Sequence, residues 1–133
     1  MKYLWVGLGG AAGALSRYGV GLLLAGAGET FPWTTLGINL TGSFVLGLLF
    51  SIAMERNLLP VAWRAPLMVG FVGSYTTFST WAVDTDLFLQ RGDFVSATLN
   101  VVLSVSVGLP SVWAGLAAGR RKAIGRGARE LTK

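Results

Sequence analysis

Gly70-Phe71-Val72-Gly73-Ser74-Tyr75-Thr76-Thr77-Phe78-Ser79-Thr80-Trp81 sits in the middle of a long apolar run from Val61 to Leu89. As one straight α-helix that run would extend about 43 Å, well beyond the ~30 Å hydrocarbon core of a bilayer. Its centre holds two glycines and then five serines or threonines among eight residues. Glycine, serine and threonine all compete with regular helix bonding, so the helix is expected to break here. Non-helical backbone at membrane depth is tolerated only where it is buried in protein or lines a wet cavity. Free carbonyls and half-helix ends at such a break are a common way of binding an ion in a membrane. A hydroxyl-rich kink that binds nothing is the alternative left open by composition.

The rest of the chain repeats the apolar pattern without the break. Met1 to Ala27, Phe31 to Met54 and Phe94 to Gly119 are each long enough to cross a bilayer and carry almost no charge. With the broken run they predict an all-α integral membrane protein of four transmembrane helices, the third discontinuous. The first run exceeds the apolar core of a signal peptide and no soluble stretch follows it. Gly28-Glu29-Thr30, Glu55-Arg56-Asn57 through Pro60, and Asp84 to Asp93 separate the spans and are too short for domains of their own. Of the 133 residues, 53% are hydrophobic and 13% charged, about half the charge of an ordinary soluble domain. The absence of His and Cys removes the common zinc ligands, the thiol nucleophile and the imidazole base. An enzyme is not expected.

Charge placement sets the orientation. Six of the eleven basic residues lie in the last 14 positions: Arg120, Arg121, Lys122, Arg126, Arg129 and Lys133. This divides the chain into a channel-like region, 1–119, and a basic cytoplasmic tail, 120–133. The tail reads as a membrane-edge segment and not as a nucleic-acid site. With Lys2, Arg56 and Arg64 it places nine basic residues on one face, against Arg91 on the other. Both termini are then cytoplasmic and the protein is a multi-pass protein of the cell membrane.

Within the spans the polar residues form narrow tracks. Gly9, Gly13, Arg17 and Gly21 share one helix face, the glycines suited to close helix packing. Arg17 inside a span needs carbonyls, water or a partner, and either reaches a vestibule or serves an anion. Thr35, Asn39 and Ser43 recur at spacings of four in the second run, and Asn100, Ser104 and Gly108 in the fourth. Interhelical hydrogen bonding explains any one of these, but three tracks in three spans suggest a path. None contains an acid, which speaks against a proton-coupled small multidrug exporter. Neutral donors suit a small anion, and the positive edges of Phe78 and Trp81, one helix turn apart beside Ser79 and Thr80, add to them. Four short helices enclose little space, so a dimer is expected.

The stretches Gly9 to Tyr18 (GGAAGALSRY), Thr35 to Phe44 (TLGINLTGSF) and Gly70 to Thr80 closely resemble the Fluc (CrcB) fluoride-channel family, in order and across the spans. The resemblance implies a fluoride-selective channel that lowers cytoplasmic fluoride by passive export of the anion. It also implies an antiparallel dimer of the dual-topology type with two pores. By position, Asn39 would line the fluoride path, Phe78 would be the first of the family's pair of fluoride-contacting phenylalanines, and Ser79, Thr80 and Ser104 would fall on the hydroxyl track. Arg17 would raise the local anion concentration near a vestibule. A structural sodium ion at the dimer centre would be held by the backbone carbonyls of Gly73 and Thr76.

Two positions depart from the family pattern. The second phenylalanine is replaced by Trp81, and Asn100 stands where many relatives have an aromatic residue. The nine-to-one charge bias also differs from what a single chain inserting in both orientations needs. A heterodimer with a paralogous subunit is therefore weighed beside the homodimer, and a non-conducting partner subunit beside the conducting one.

Overall fold

The computed structural model describes residues 2–24 and 30–130, with side chains as far as Arg121. Gly28 and Glu29 of the first break, Lys133, and the side chains of Lys122, Arg126 and Arg129 lie outside the described residues. Every regular element among the described residues is helical: α1 (Lys2–Leu24), α2 (Trp33–Phe50), α3 (Val61–Ala65), α4 (Gly73–Tyr75), α5 (Phe78–Gln90) and α6 (Phe94–Glu130). Two wider π-helical stretches extend these, π1 (Ser51–Glu55) after α2 and π2 (Pro66–Val72) between α3 and α4. Pro66, which lacks an amide hydrogen, sits where α3 gives way to π2.

By length and composition two helices can cross a membrane, Trp33–Glu55 and Phe94–Arg121. Large apolar side chains lie outward all around the molecule: Leu23 is 86% exposed, Phe78 76% and Trp113 74%. The buried apolar side chains are few and mostly small or branched, among them Leu36, Ile38, Ala53, Val72 and Ala97. A surface this apolar suits lipid or another protein surface better than water. The chain is thus an all-helical protein of membrane type.

Small residues let the helices touch backbone to backbone. A Cβ on Gly13 would meet the Phe71 carbonyl oxygen at 2.1 Å, and one on Gly9 would meet that of Pro66 at 2.3 Å, so α1 lies directly on π2. Gly115 of α6 approaches the Phe44 carbonyl of α2 in the same way, at 2.1 Å. Gly21 faces open space, so the packing stripe on α1 ends before it.

The reversal between α5 and α6 is written in four residues. Gly92 has φ +74°, and its amide bonds the Leu89 carbonyl at 3.0 Å while the Asp93 amide bonds that of Phe88 at 2.9 Å. These two bonds form a Schellman ending to α5. Asp93 then caps α6 by accepting from the Ser96 amide at 3.0 Å. At the opposite end, Arg120 of α6 forms an ion pair with Glu55, which also accepts from Ser51 at 2.9 Å. Arg56 donates to the Gly119 carbonyl at 3.0 Å, so the end of α2 and π1 is tied to α6.

Candidate functional site

The regular helix is interrupted at Thr76 and Thr77. Both take extended backbone, with φ/ψ of −73°/157° and −144°/111°. The interruption leaves peptide groups without helical partners, and one side chain on the neighbouring helix takes two of them. Asn39 of α2 accepts from the Thr77 amide through Oδ1 at 2.8 Å and donates from Nδ2 to the Thr77 carbonyl at 3.0 Å. The Thr77 N–H can be satisfied only by an acceptor, which fixes the orientation of the carboxamide. One turn further along α2, a Cβ on Gly42 would lie 2.3 Å from Thr76 Cγ2, so glycine there lets the helix approach the break without displacing the Thr76 side chain.

The hydroxyls around the break are used locally. Thr77 Oγ1 accepts from the Thr80 amide at 3.2 Å, capping α5, and lies 2.9 Å from Thr80 Oγ1 and 3.3 Å from Ser79 Oγ. Thr76 Oγ1 donates back to the Val72 carbonyl at 3.0 Å. Tyr75 Oη pairs with Thr41 Oγ1 at 3.0 Å across to α2.

Beside the break lies a recess of about 420 Å³. Asn39 and Ser43 line it from α2, Gly73, Thr76, Phe78 and Trp81 from the interrupted segment, and Ser104 from α6. Ser104 Oγ is buried and has no hydrogen-bond partner, a condition that costs free energy unless something occupies the site. The Phe78 and Trp81 rings lie 5.1 Å apart, tilted by 41°. No charged side chain lines this recess, so its polar surface is made of neutral hydroxyl, amide and peptide groups.

Of the residues singled out by sequence, Asn39, Phe78, Trp81, Ser104, Gly73 and Thr76 are brought together here. Ser79 and Thr80 do not line it; they are exposed residues of the first turn of α5, with hydroxyls 3.3 Å and 2.9 Å from Thr77 Oγ1. Arg17 lies on the α1 side of the break and donates from Nη1 to the Thr76 carbonyl at 3.5 Å, a carbonyl partner for its charge. Asn100 is 1% exposed and makes interhelical bonds: Nδ2 donates to Thr85 Oγ1 at 2.9 Å and to the Trp81 carbonyl at 3.5 Å. Thr35 points the other way along α2 and donates to Asp84 at 3.0 Å, in a separate recess of about 280 Å³ rimmed by Arg91. Thr77, which organises the break, was not singled out by sequence, although its spacing to Thr80 is that of a helix cap.

The break also provides oxygen ligands of the kind a hard cation takes. The Thr77 amide would ordinarily close a turn onto the Gly73 carbonyl, but it is directed to Asn39 Oδ1. The Thr76 carbonyl has only the long contact to Arg17. Gly73 and Thr76 supply carbonyl oxygens, the donor type a sodium ion takes, and the Thr76 oxygen already faces the Arg17 guanidinium.

Residues 4–116 match the family model described as CrcB-like protein, Camphor Resistance (CrcB). The chain is 50% identical over 111 residues to the fluoride-specific ion channel FluC 2 of Symbiobacterium thermophilum, covering 83% of this chain and 90% of that protein. It is 43% identical over 122 residues to the fluoride-specific ion channel FluC of Acidobacterium capsulatum, covering 91% and 98%. A second Symbiobacterium thermophilum protein, FluC 1, is 42% identical over 121 residues, covering 90% and 98%.

Proposed function

The chain belongs to the CrcB family, and from that premise we propose that it is a subunit of a fluoride-selective channel that passively exports the anion from the cytoplasm. The observation that carries this reading is the buried, unpartnered Ser104 hydroxyl in a recess with neutral donors and no carboxylate. Fluoride is small and strongly hydrated, so it needs close donors that replace water without holding it too tightly. Ser104 Oγ supplies one hydrogen. Asn39 supplies another, since Nδ2 has two and Thr77 takes one. The ring edges of Phe78 and Trp81 supply weaker positive surface.

In this reading the chain crosses the cell membrane four times, with the interruption at Thr76 and Thr77 inside the third crossing. Two chains pack antiparallel to enclose the paths. The carbonyls of Gly73 and Thr76 would hold a structural sodium ion at the dimer centre, as oxygen ligands suited to a hard cation. Arg17, which donates to the Thr76 carbonyl at 3.5 Å, would raise the local anion concentration near a vestibule. Ser79 and Thr80, in the first turn of α5 after the capping Thr77, would add hydroxyls to the path. The nine-to-one basic bias is what a fixed orientation beside a paralogous subunit would show, and fluoride release by the chain alone would assign the homodimer instead.

The test is ion release from liposomes containing the purified chain, read with a fluoride electrode and repeated with chloride inside. Rapid fluoride release without chloride release is expected, and a chain that releases neither, alone or with a paralogue, refutes the channel reading. Ser104→Ala should slow fluoride release without lowering thermal stability, because the hydroxyl gives up no bond within the protein.

A further inference from the structure

We propose that the Ser43 hydroxyl is a further anion-contacting donor, a station one helical turn from Asn39 at the end of the recess nearer Glu55. Ser43 is half-buried on α2 and lines the recess. Its hydroxyl has no hydrogen bond among the described residues. A serine or threonine within a helix can give its hydrogen to the carbonyl four residues before. Thr41 does so to Gly37 at 2.8 Å, Thr85 to Trp81 at 2.8 Å and Ser111 to Val107 at 2.9 Å. Ser43 takes no such bond from the Asn39 carbonyl, and so keeps a hydrogen to give.

Few side-chain hydrogens in the recess are left for an anion. Thr76 Oγ1 donates to the Val72 carbonyl at 3.0 Å, and the Trp81 indole N–H goes to the Asn100 carbonyl at 3.4 Å. Thr77 Oγ1 is engaged with Thr80 and Ser79 at the start of α5. The donors that remain are Ser104, the second Nδ2 hydrogen of Asn39, and Ser43. They are spread along the recess. Helices α2 and α6 run in the same direction, since Gly115 packs between Phe44 and Leu48 while Gly119 packs on Leu48 and Ser51. Carried back along both helices, this register puts Ser104 about two turns from Ser43, with Asn39 between them at about 6 Å along α2 from Ser43. Separated neutral donors suit conduction, because each holds the ion weakly and several sites in a row let it move on. Ser43 lies on the part of α2 that leads to Glu55, Arg56 and the basic end of α6. In the channel reading, on which this inference rests, cytoplasmic fluoride meets Ser43 before Asn39.

The chain has no cysteine, so Ser43→Cys carries a single reporter thiol. The full-length variant in liposomes is treated with methyl methanethiosulfonate, and the modification is followed by mass. Fluoride should slow the modification, and chloride at the same concentration should not. Equal rates in the two salts overturn the proposal. In the release assay Ser43→Ala should be about fivefold slower than wild type, the scale of one hydrogen bond, at an unchanged melting temperature. Release at the wild-type rate overturns the proposal. Slower release together with a lowered melting temperature makes the hydroxyl a packing element, and overturns it too. A wild type that releases no fluoride counts against the channel reading, while the thiol measurement still decides whether an anion reaches the place of Ser43.

Discussion

Asn39→Asp changes one atom pair in the clamp and adds one charge. The oxygen that replaces Oδ1 keeps the Thr77 amide as donor, while the oxygen that replaces Nδ2 faces the Thr77 carbonyl at a separation now 3.0 Å. One hydrogen bond becomes an oxygen–oxygen repulsion, costing about 1–3 kcal/mol at a partly buried site. The charge costs more. A carboxylate and an anion about 4 Å apart repel by roughly 4 kcal/mol at an effective dielectric of 20, which is close to a thousandfold in occupancy. Asn39→Ala loses both bonds to Thr77 but adds no charge, so its loss should be about tenfold to a hundredfold. The expected order of fluoride release at neutral pH is wild type, then Asn39→Ala, then Asn39→Asp, measured in liposomes at matched protein density. Asn39→Asp releasing fluoride within tenfold of wild type refutes the placement of Asn39 on the path. Asn39→Asp outpacing Asn39→Ala refutes the view that charge outweighs the clamp.

Three further outcomes follow from the packing and the caps. Gly13→Ala should broaden the gel-filtration profile in detergent and lower the melting temperature, because its Cβ would fall 2.1 Å from a backbone oxygen, whereas Gly21→Ala, facing open space, should leave both unchanged. Thr77→Val keeps the shape of the side chain but removes the acceptor for the Thr80 amide, and should destabilise the protein by about 1 kcal/mol in a denaturation experiment. The bonds from Ser96 hold the Asp93 carboxyl below its ordinary pKa. A depressed folded-state pKa gives stability that is complete above the unfolded value, near pH 4, and is lost as the pH falls below it. Asp93→Asn should keep the cap and flatten that part of the melting-temperature profile.

Periodicity and composition carried the helices and their apolar exteriors, because both follow from which residues face lipid. The interruption was legible at Gly70 to Trp81, since glycine and hydroxyl residues there weaken helix bonding by themselves. What Asn39 does to it was not. Its spacing from Thr35 and Ser43 marks a polar face but cannot show that the carboxamide will brace a peptide on another helix. Thr35 made the limit plain: it belongs to the same spacing, yet it turns to Asp84, a residue 49 positions away. Ser79 and Thr80 read as members of a hydroxyl track from their spacing, and that spacing could not show that both hydroxyls also lie within reach of the capping Thr77 Oγ1. Trp81 and Asn100 read as two departures from a family pattern, whereas in space they are one reciprocal pair.

The break is supported from one side by a chain of close contacts. Gly115 of α6 lets α6 lie against α2 at Phe44, and α2 then meets the break at two successive turns, through Asn39 on Thr77 and Gly42 on Thr76. No slack is left in this stack, since an added methyl group at either glycine would collide with its neighbour. The recess is walled by the same three elements, so the distance from Ser104 on α6 to Phe78 on α5 is set by how α6 sits on α2. A substitution at Gly115, which does not line the recess, should therefore alter fluoride release through the spacing of the donors. Gly115→Ala would force α2 and α6 apart, moving Ser104 away from Asn39. Gly108→Ala, on the same helix but facing open space, is the control that should not. Equal release from the two variants would show that the α2–α6 crossing does not set the geometry of the recess.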